Sequence, residues 1–558
     1  MPDFSHLRLA PFHLDDQAMA WVEQTLSAMT PAQKVGQLFV HSSMGKDLAE
    51  LARLANLHPA GITRFYTPDL PYEAQFIDSA RAQANIPLLI SADLEGSRMS
   101  LPFGTEVPNP LALAAIDDLQ ATRQIVEIMA QEAAAVGINW SFTPVLDINA
   151  AFRSPIVATR GFGSDPAIIK RHALAHIEVF QANGIAATVK HWPGEGHDDR
   201  DQHLVTTIIP LTVAQWEATH GALYRAAIAA GAMSVMSAHI AFPAYVRDQT
   251  AAEHPDAGIE AYRPASVSKL LNVELLRGKL GFNGVIVSDA TPMAGFGAWG
   301  PRAQMLPQLI ANGCDLILFS QNPAADFALI SAAVADGRIS DARVTEAIGR
   351  TLGLKAALGL HKAAFTPANP AALGTAQNRK LAQSITNRAP TLVKDTQKLL
   401  PLTPAKHRRL LIISGGIISP IHPDPVPFAL PDMLAQAGFE VTQFTPGMKI
   451  EPASYDALLY LFGEETLLTR GRIFLDWAKI SGHFMAAMDR HWHDIPTAIV
   501  SFGYPYYLYD APRVPTYINA FATIETMQKA VLDCLLGHSA WNLHSPHDPF
   551  CGQEDAKF

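Results

Sequence analysis

The sequence predicts an α/β protein in two parts: an N-terminal (β/α)8, TIM-like barrel followed by a smaller C-terminal α/β domain. Short β-rich runs alternate with helical patterns from about residue 35 to 320, ionisable residues collect at the ends of those runs, and the alternation resumes after a Pro- and Ala-rich stretch. A chain of 558 residues also exceeds one hydrophobic core, since domains hold roughly 100 to 250 residues.

The barrel runs are VGQLFV, AGITRFY, IPLLISAD, INWSFTPVLD, IAATVKHW, AMSVMSAH, NGVIVSDA and CDLILFS. Strands that alternate with helices imply parallel βαβ units, and about eight of them favour a closed barrel over an open sheet. The helical stretch VTEAIGRTLGLKAALGL ends this domain near residue 360, and HKAAFTPANPAALGTAQ opens a linker expected over 361–388. In 389–558 the runs RLLIIS, FEVTQFT, ALLYLFG, TAIVSFG and TYINAFA predict an open sheet with helices on both faces.

Composition narrows the function. A net charge of -10 is mild for this length, and no Lys/Arg run could track a nucleic acid or an anionic membrane, so a small neutral or polar substrate is expected. Cys314, Cys534 and Cys551 have no paired spacing, and the N-terminus lacks a basic start followed by an apolar stretch. No segment offers about 18 uninterrupted apolar residues. A cytoplasmic protein without membrane partners is the expectation. FGSDP at 162–166 lacks the Lys-Ser/Thr ending of a phosphate loop, which argues against nucleotides.

Asp93, Asp147, Lys190 with His191, His239 and Asp289 each follow a β-rich run. In (β/α)8 barrels that rim builds active sites. Asp289 alone could be a nucleophile, a metal ligand or a helix cap. Asp93 suits hydrogen bonding to vicinal hydroxyls, while Glu95 and Arg98 beside it are expected to pair with each other. Asp147 reads as a buried carboxylate bonded to loop amides, and His239 as either a sugar contact or a satisfied core histidine. In KHWPGEGHDDRDQH (190–203), Asp201 and His203 stand two apart, so in extended chain they face one way. A carboxylate that orients an imidazole gives a proton-transfer pair near neutral pH. Asp198, Asp199 and Arg200 read as solvated charges or internal pairs.

KHWPGEGHDDRDQH resembles the KH(F/W)PGHG…DSH signature of family 3 glycoside hydrolases, in the form carried by β-N-acetylglucosaminidases. SADLEGSRM, FTPVLDIN, PIVATRGFGSDP and VIVSDA resemble further motifs of that family in the same order, and RAPTLVKDTQKLLPL and YINAFATIETMQKAVLDCLLG resemble the α/β sandwich domain of its two-domain members. The resemblance implies a retaining exo-β-N-acetylglucosaminidase with Asp289 as nucleophile and His203, oriented by Asp201, as acid/base. It implies that Asp93, Arg160, Lys190 and His191 hold the non-reducing sugar, and that neither metal nor organic cofactor is needed. Glu195, Gln202, Ser97 and Leu101 depart from the family pattern, and Glu195 is a rival acid. A β-glucosidase using Glu464 or Glu465, a phosphorylase of the same fold, a Schiff-base enzyme using Lys190, and a non-catalytic sugar binder are the alternatives.

Overall fold

The computed structural model describes residues 3–250, 258–362, 367–419 and 424–558. In chain order the N-terminal strands are β1 (Phe39–Ser43), β2 (Gly61–Arg64), β3 (Leu89–Ala92), β4 (Trp140–Ser141), β5 (Ala186–Trp192), β6 (Thr207–Ile208), β7 (Ser234–Ser237), β8 (Ile240–Ala241), β9 (Val285–Ser288) and β10 (Ile317–Leu318). Eight form one parallel sheet in the order β10-β1-β2-β3-β4-β5-β7-β9. A bridge between Val287 and Leu316 joins its ends and closes the barrel. All eight predicted runs supply its strands.

Strands of a barrel are covered on both faces and so read as continuous apolar runs. Val285, Ile286 and Val287 of β9 are fully buried, each stabilising the fold by about 1.5–3 kcal/mol. Where the lumen takes polar atoms they are paired: the Trp140 indole N–H donates to Thr188 Oγ1 at 2.7 Å and Ser234 Oγ at 2.9 Å. The FGSDP stretch is a helix start, with Asp165 capping the Ala167 amide at 2.8 Å ahead of Pro166–Ala182, as an Asp N-cap before a first-turn Pro should be.

β6 and β8 pair only with each other, Thr207 opposite Ile240. They tie the loop that leaves β5 to the chain just beyond His239.

The second sheet comprises β11 (Thr391–Asp395), β12 (Arg409–Ile417), β13 (Glu440–Gln443), β14 (Ala457–Gly463), β15 (Thr497–Ser501) and β16 (Thr516–Asn519), ordered β11-β16-β15-β14-β12-β13. β11 was not among the expected strands, and it runs antiparallel to β16 while the other pairings are parallel. Within the expected linker, residues 363–366 lie outside the described set, and Ala376–Thr386 is a helix. Its Ala382 and Ile385 bury in the barrel-side cluster with Ile125 and Met129.

The domains share a core. Helix Pro110–Ile116, apolar along its whole length, is buried, and Leu111, Ala112 and Ala115 pack with Leu459, Val500 and Phe521 of the second sheet. Among the described residues no helix is long and apolar enough to cross a membrane.

Candidate active site

The C-terminal ends of β3, β5, β7 and β9 converge on one cluster. β5 delivers Lys190 and His191, both buried. The Lys190 ammonium donates to Asp93 Oδ1 at 2.7 Å and lies 2.7 Å from Glu95 Oε1. Glu95 also takes a bidentate pair from Arg160, 2.9 Å from Nε and 2.8 Å from Nη2. Burial alone would raise the Glu95 carboxyl, but Arg160 and Lys190 hold it well below the usual carboxylate range. Burial works against charge on Arg160 and Lys190 too, and the carboxylates of Glu95 and Asp93 outweigh it.

The expected Glu95–Arg98 pair is therefore not formed. A tight turn, with Gly96 at φ 100° and Ser97 at φ 49°, turns Glu95 inward and Arg98 outward. Arg98 Nε donates to Thr523 Oγ1 in the second domain. Ser97, standing where the related motif has Gly, adopts the left-handed conformation that costs a side chain roughly 1–2 kcal/mol; its hydroxyl donates to Glu465 Oε1 at 2.8 Å.

Asp147 accepts the amides of His191 at 3.0 Å and Glu195 at 2.9 Å, and His191 Nδ1 lies 2.6 Å from its other oxygen. Burial opposes its charge, and His191 with those amides draws its carboxyl below the normal value. Asp147 thus shapes the start of the 190–203 loop and orients His191, whose Nε2 lies 3.4 Å from Arg160 Nη2.

At the far end of the loop, Asp201 Oδ1 accepts the His203 amide at 2.8 Å and lies 2.7 Å from His203 Nδ1. With Nδ1 committed, proton transfer falls to Nε2. The Asp201 side chain is fully buried while that of His203 keeps 23% exposure, so the imidazole is the accessible member. The backbone carbonyls of Gln202 and His203 accept the amides of Gly295 and Ala294, 3.2 and 2.9 Å away, just past β9.

Asp289 ends β9, its backbone amide bonded to Ser237 O at 2.8 Å and its Oδ1 accepting the Ala290 amide at 2.7 Å. Burial pushes this carboxyl up, and the imidazoles of His191, His239 and His203 together pull it below its ordinary value. An ionised, partly desolvated carboxylate is what a nucleophile requires.

His239 turns out to be the satisfied core histidine. It is wholly buried, with Nδ1 2.9 Å from Ser266 Oγ and Nε2 3.1 Å from Ala290 O, so both ring nitrogens are engaged by protein and neither is left for a sugar. The Ala290 contact places it next to Asp289.

Glu195 is buried, and Gln202 Nε2 donates to its Oε2 at 3.0 Å. Burial first, then Asp147, Asp289 and Asp201, push the Glu195 carboxyl well above its usual range against the pull of Arg160. Gln202 in turn accepts the His239 amide at 3.2 Å. The carboxamide of Gln202 therefore pins the 190–203 loop, a role that nothing in the bare sequence indicates. Asp147, His191 and Glu195 each offer an atom within 4.8 Å of the others. His191 Nδ1 is already committed to Asp147 and Glu195 to Gln202. Asp198 and Arg200 form an internal pair.

Residues 30–354 match the Glycosyl hydrolase family 3 N terminal domain. This chain belongs to glycosyl hydrolase family 3. It is accordingly a glycoside hydrolase that acts on saccharides. It is 39% identical, over 98% of its own length and 99% of the relative's, to a beta-N-acetylglucosaminidase/beta-glucosidase of Cellulomonas fimi. A beta-hexosaminidase of Stenotrophomonas maltophilia is 36% identical over 45% of this chain and 72% of its own. Among solved structures, the beta-glucoside phosphorylase BglX superposes with a TM-score of 0.90 at 32% identity, covering 99% of both chains. A family 3 beta-N-acetylglucosaminidase from Paenibacillus sp. str. FPU-7 gives 0.79 at 27% identity, with 94% and 99% covered.

Proposed function

We propose that this family 3 enzyme is a retaining exo-β-N-acetylglucosaminidase that removes terminal GlcNAc from small saccharides. The reading rests on one observation: an ionised carboxylate, Asp289, at the same barrel rim as an imidazole, His203, whose second nitrogen is committed to a buried carboxylate. Asp289 attacks the anomeric carbon while His203 protonates the departing oxygen, giving a glycosyl-enzyme ester. His203 then deprotonates the acceptor that displaces Asp289. Asp93, Arg160, Lys190 and His191 grip the sugar's hydroxyls, and the Arg160–Glu95–Lys190 network keeps those donors fixed before substrate arrives.

The C. fimi and Paenibacillus names both include beta-N-acetylglucosaminidase and support GlcNAc as the sugar, while the C. fimi name also includes beta-glucosidase. The β-glucosidase alternative, with an acid from the second domain, is disfavoured because both candidates are occupied. Tyr507 OH donates to Glu464, and Thr523 donates to Glu465 from its amide and its hydroxyl. The test is a panel of aryl β-glycosides. Wild type should prefer the GlcNAc glycoside, Asp289→Ala should lose almost all turnover, and His203→Ala should lose most on the poorest leaving groups. Equal losses in His203→Ala on all leaving groups would remove His203 from the acid/base role.

The likeness to BglX favours a second reading, phosphorolysis. A neutral imidazole base opposes an incoming phosphate less than a carboxylate would. Sugar 1-phosphate formed in phosphate buffer, faster than free sugar in phosphate-free buffer, would establish it.

A further inference from the structure

Asp201 has two carboxylate oxygens, and the pair with His203 uses only Oδ1. Its Oδ2 accepts the backbone amide of Thr469 at 2.9 Å. Thr469 is 268 residues away, in the loop that follows β14 of the second domain. A buried carboxylate oxygen left without a donor is destabilising, so the donor is integral to the pair.

The loop is anchored just ahead of Thr469. Glu465 accepts from Ser97 Oγ at 2.8 Å and from the Thr523 amide at 2.7 Å. Thr466 Oγ1 lies 3.2 Å from Thr159 Oγ1, and the Leu467 amide donates to Pro155 O at 3.2 Å. Beyond these contacts Thr469 takes φ 61°, the left-handed region that a β-branched residue rarely occupies. The chain therefore turns sharply where its amide meets Asp201, and the Thr469 side chain itself makes no part of the bond.

We propose that the Thr469 backbone amide is the positioning group that completes the Asp201–His203 pair, so that the acid/base of the barrel is assembled only with the second domain docked. The inference rests on the reading of His203 as acid/base. By occupying Oδ2, the amide fixes the carboxylate plane and directs Oδ1 at Nδ1; without it the carboxylate can rotate and the imidazole loses its orientation. Formation of the ester by Asp289 needs no such help when the leaving group is already stable as an anion.

Thr469→Pro removes the donor and, with φ fixed at about −65°, also cannot keep the turn at φ 61°, so the amide contact to Asp201 is lost on both counts; Thr469→Gly keeps the donor and suits the positive φ. In Thr469→Pro, kcat/KM for a dinitrophenyl glycoside should stay within about threefold of wild type while that for an alkyl glycoside falls at least about tenfold. Azide, which needs no general base, should speed turnover of the dinitrophenyl substrate and give glycosyl azide. Thr469→Gly should match wild type throughout. A Thr469→Pro enzyme with the wild-type leaving-group dependence, or losing equally on both substrates, overturns the proposal, as does a Thr469→Gly enzyme as impaired as Thr469→Pro. His203→Ala measured alongside separates the two claims. If it lacks leaving-group dependence the acid/base reading fails; if it shows the dependence and Thr469→Pro does not, only the role of the amide fails.

Discussion

Glu95→Gln tests the electrostatic frame of the proposed sugar site. Glu95 is buried and receives three charge-assisted bonds, two from Arg160 and one from Lys190. Glutamine keeps the shape but replaces one accepting oxygen with an NH2, which meets the guanidinium donor to donor. Lys190 retains Asp93 at 2.7 Å, whereas Arg160 keeps one bond to the remaining carbonyl oxygen and its 3.4 Å contact with His191. Stripping one partner from a buried ion pair costs about 3–5 kcal/mol; with Lys190 still paired, the lower end, about 3 kcal/mol, applies.

That cost surfaces as lost stability of the barrel, or as lost transition-state binding if Arg160 swings away, at about 1.4 kcal/mol per factor of ten. Urea unfolding followed by tryptophan fluorescence, combined with kcat/KM on the GlcNAc glycoside, should together account for about 3 kcal/mol. Arg98→Ala, which removes the partner expected from sequence spacing, should leave kcat/KM within about threefold, because Arg98 serves the domain interface. A Glu95→Gln enzyme within about 1 kcal/mol of wild type in stability and about threefold in kcat/KM would refute the reasoning. The sign in pH follows from the depressed Glu95 carboxyl. Its stabilisation is full above the unfolded value of about 4.3 and is lost only as pH falls through the lower folded value.

Glu195→Gln should leave the leaving-group dependence intact and kcat/KM within about threefold, because the carboxyl is already driven toward its neutral form; a leaving-group dependence like that of His203→Ala would make Glu195 the acid instead. Burial lowers His41 to about 4 and His176 and His220 to about 3, with no partner on their ring nitrogens. The unfolded chain then binds more protons, so stability is full above about pH 6.5 and falls as pH drops toward 4 and then 3; replacing His176, which lies between Phe162 and Phe180, by Phe should flatten that fall in denaturation midpoints measured at pH 7 and 5. Lys355 is buried and lowered to about 7 by desolvation, so wild-type stability should rise with pH from about 7 to its unfolded value near 10.4, and Lys355→Met should abolish that slope in the same measurement.

The barrel was legible because its strands are short, apolar and regularly spaced, and the rim residues because ionisable groups end those runs. Antiparallel β11 was not, since TLVKD is a brief edge strand with mixed polarity that its pairing with β16 defines. Within the site, Asp201 with His203 could be read from spacing because both lie in one loop. Glu95 could not: its neighbour Arg98 is three residues away in sequence, but the backbone at Gly96 and Ser97 sends the two side chains to opposite sides. Gln202 and Thr469 act through a carboxamide and a main-chain amide, groups that carry no signature in composition. His239 was ambiguous because position at a strand end says nothing about whether a ring nitrogen is already taken.

The charges of the rim bear on which acceptor completes the reaction. Asp93 and Glu95 face Lys190 and Arg160, Asp147 is ringed by His191 and two amides, and Glu195 is pushed toward its neutral form. Asp201 is covered by His203 and Thr469. Among the described residues Asp289 is the remaining carboxylate of this rim, and under the proposed mechanism it is an ester in the glycosyl-enzyme and carries no charge. A carboxylate base within about 4 Å of an arriving anion would oppose it by about 1–4 kcal/mol, depending on how much water remains. On the proposed reading of His203 as acid/base, a neutral imidazole imposes no such repulsion, which is the basis for phosphorolysis as the second reading. Added inert salt should then slow a phosphate-dependent turnover no more than a water-dependent one, because the Arg160 and Lys190 charges are already matched by Glu95 and Asp93 and leave no net attraction for screening to weaken.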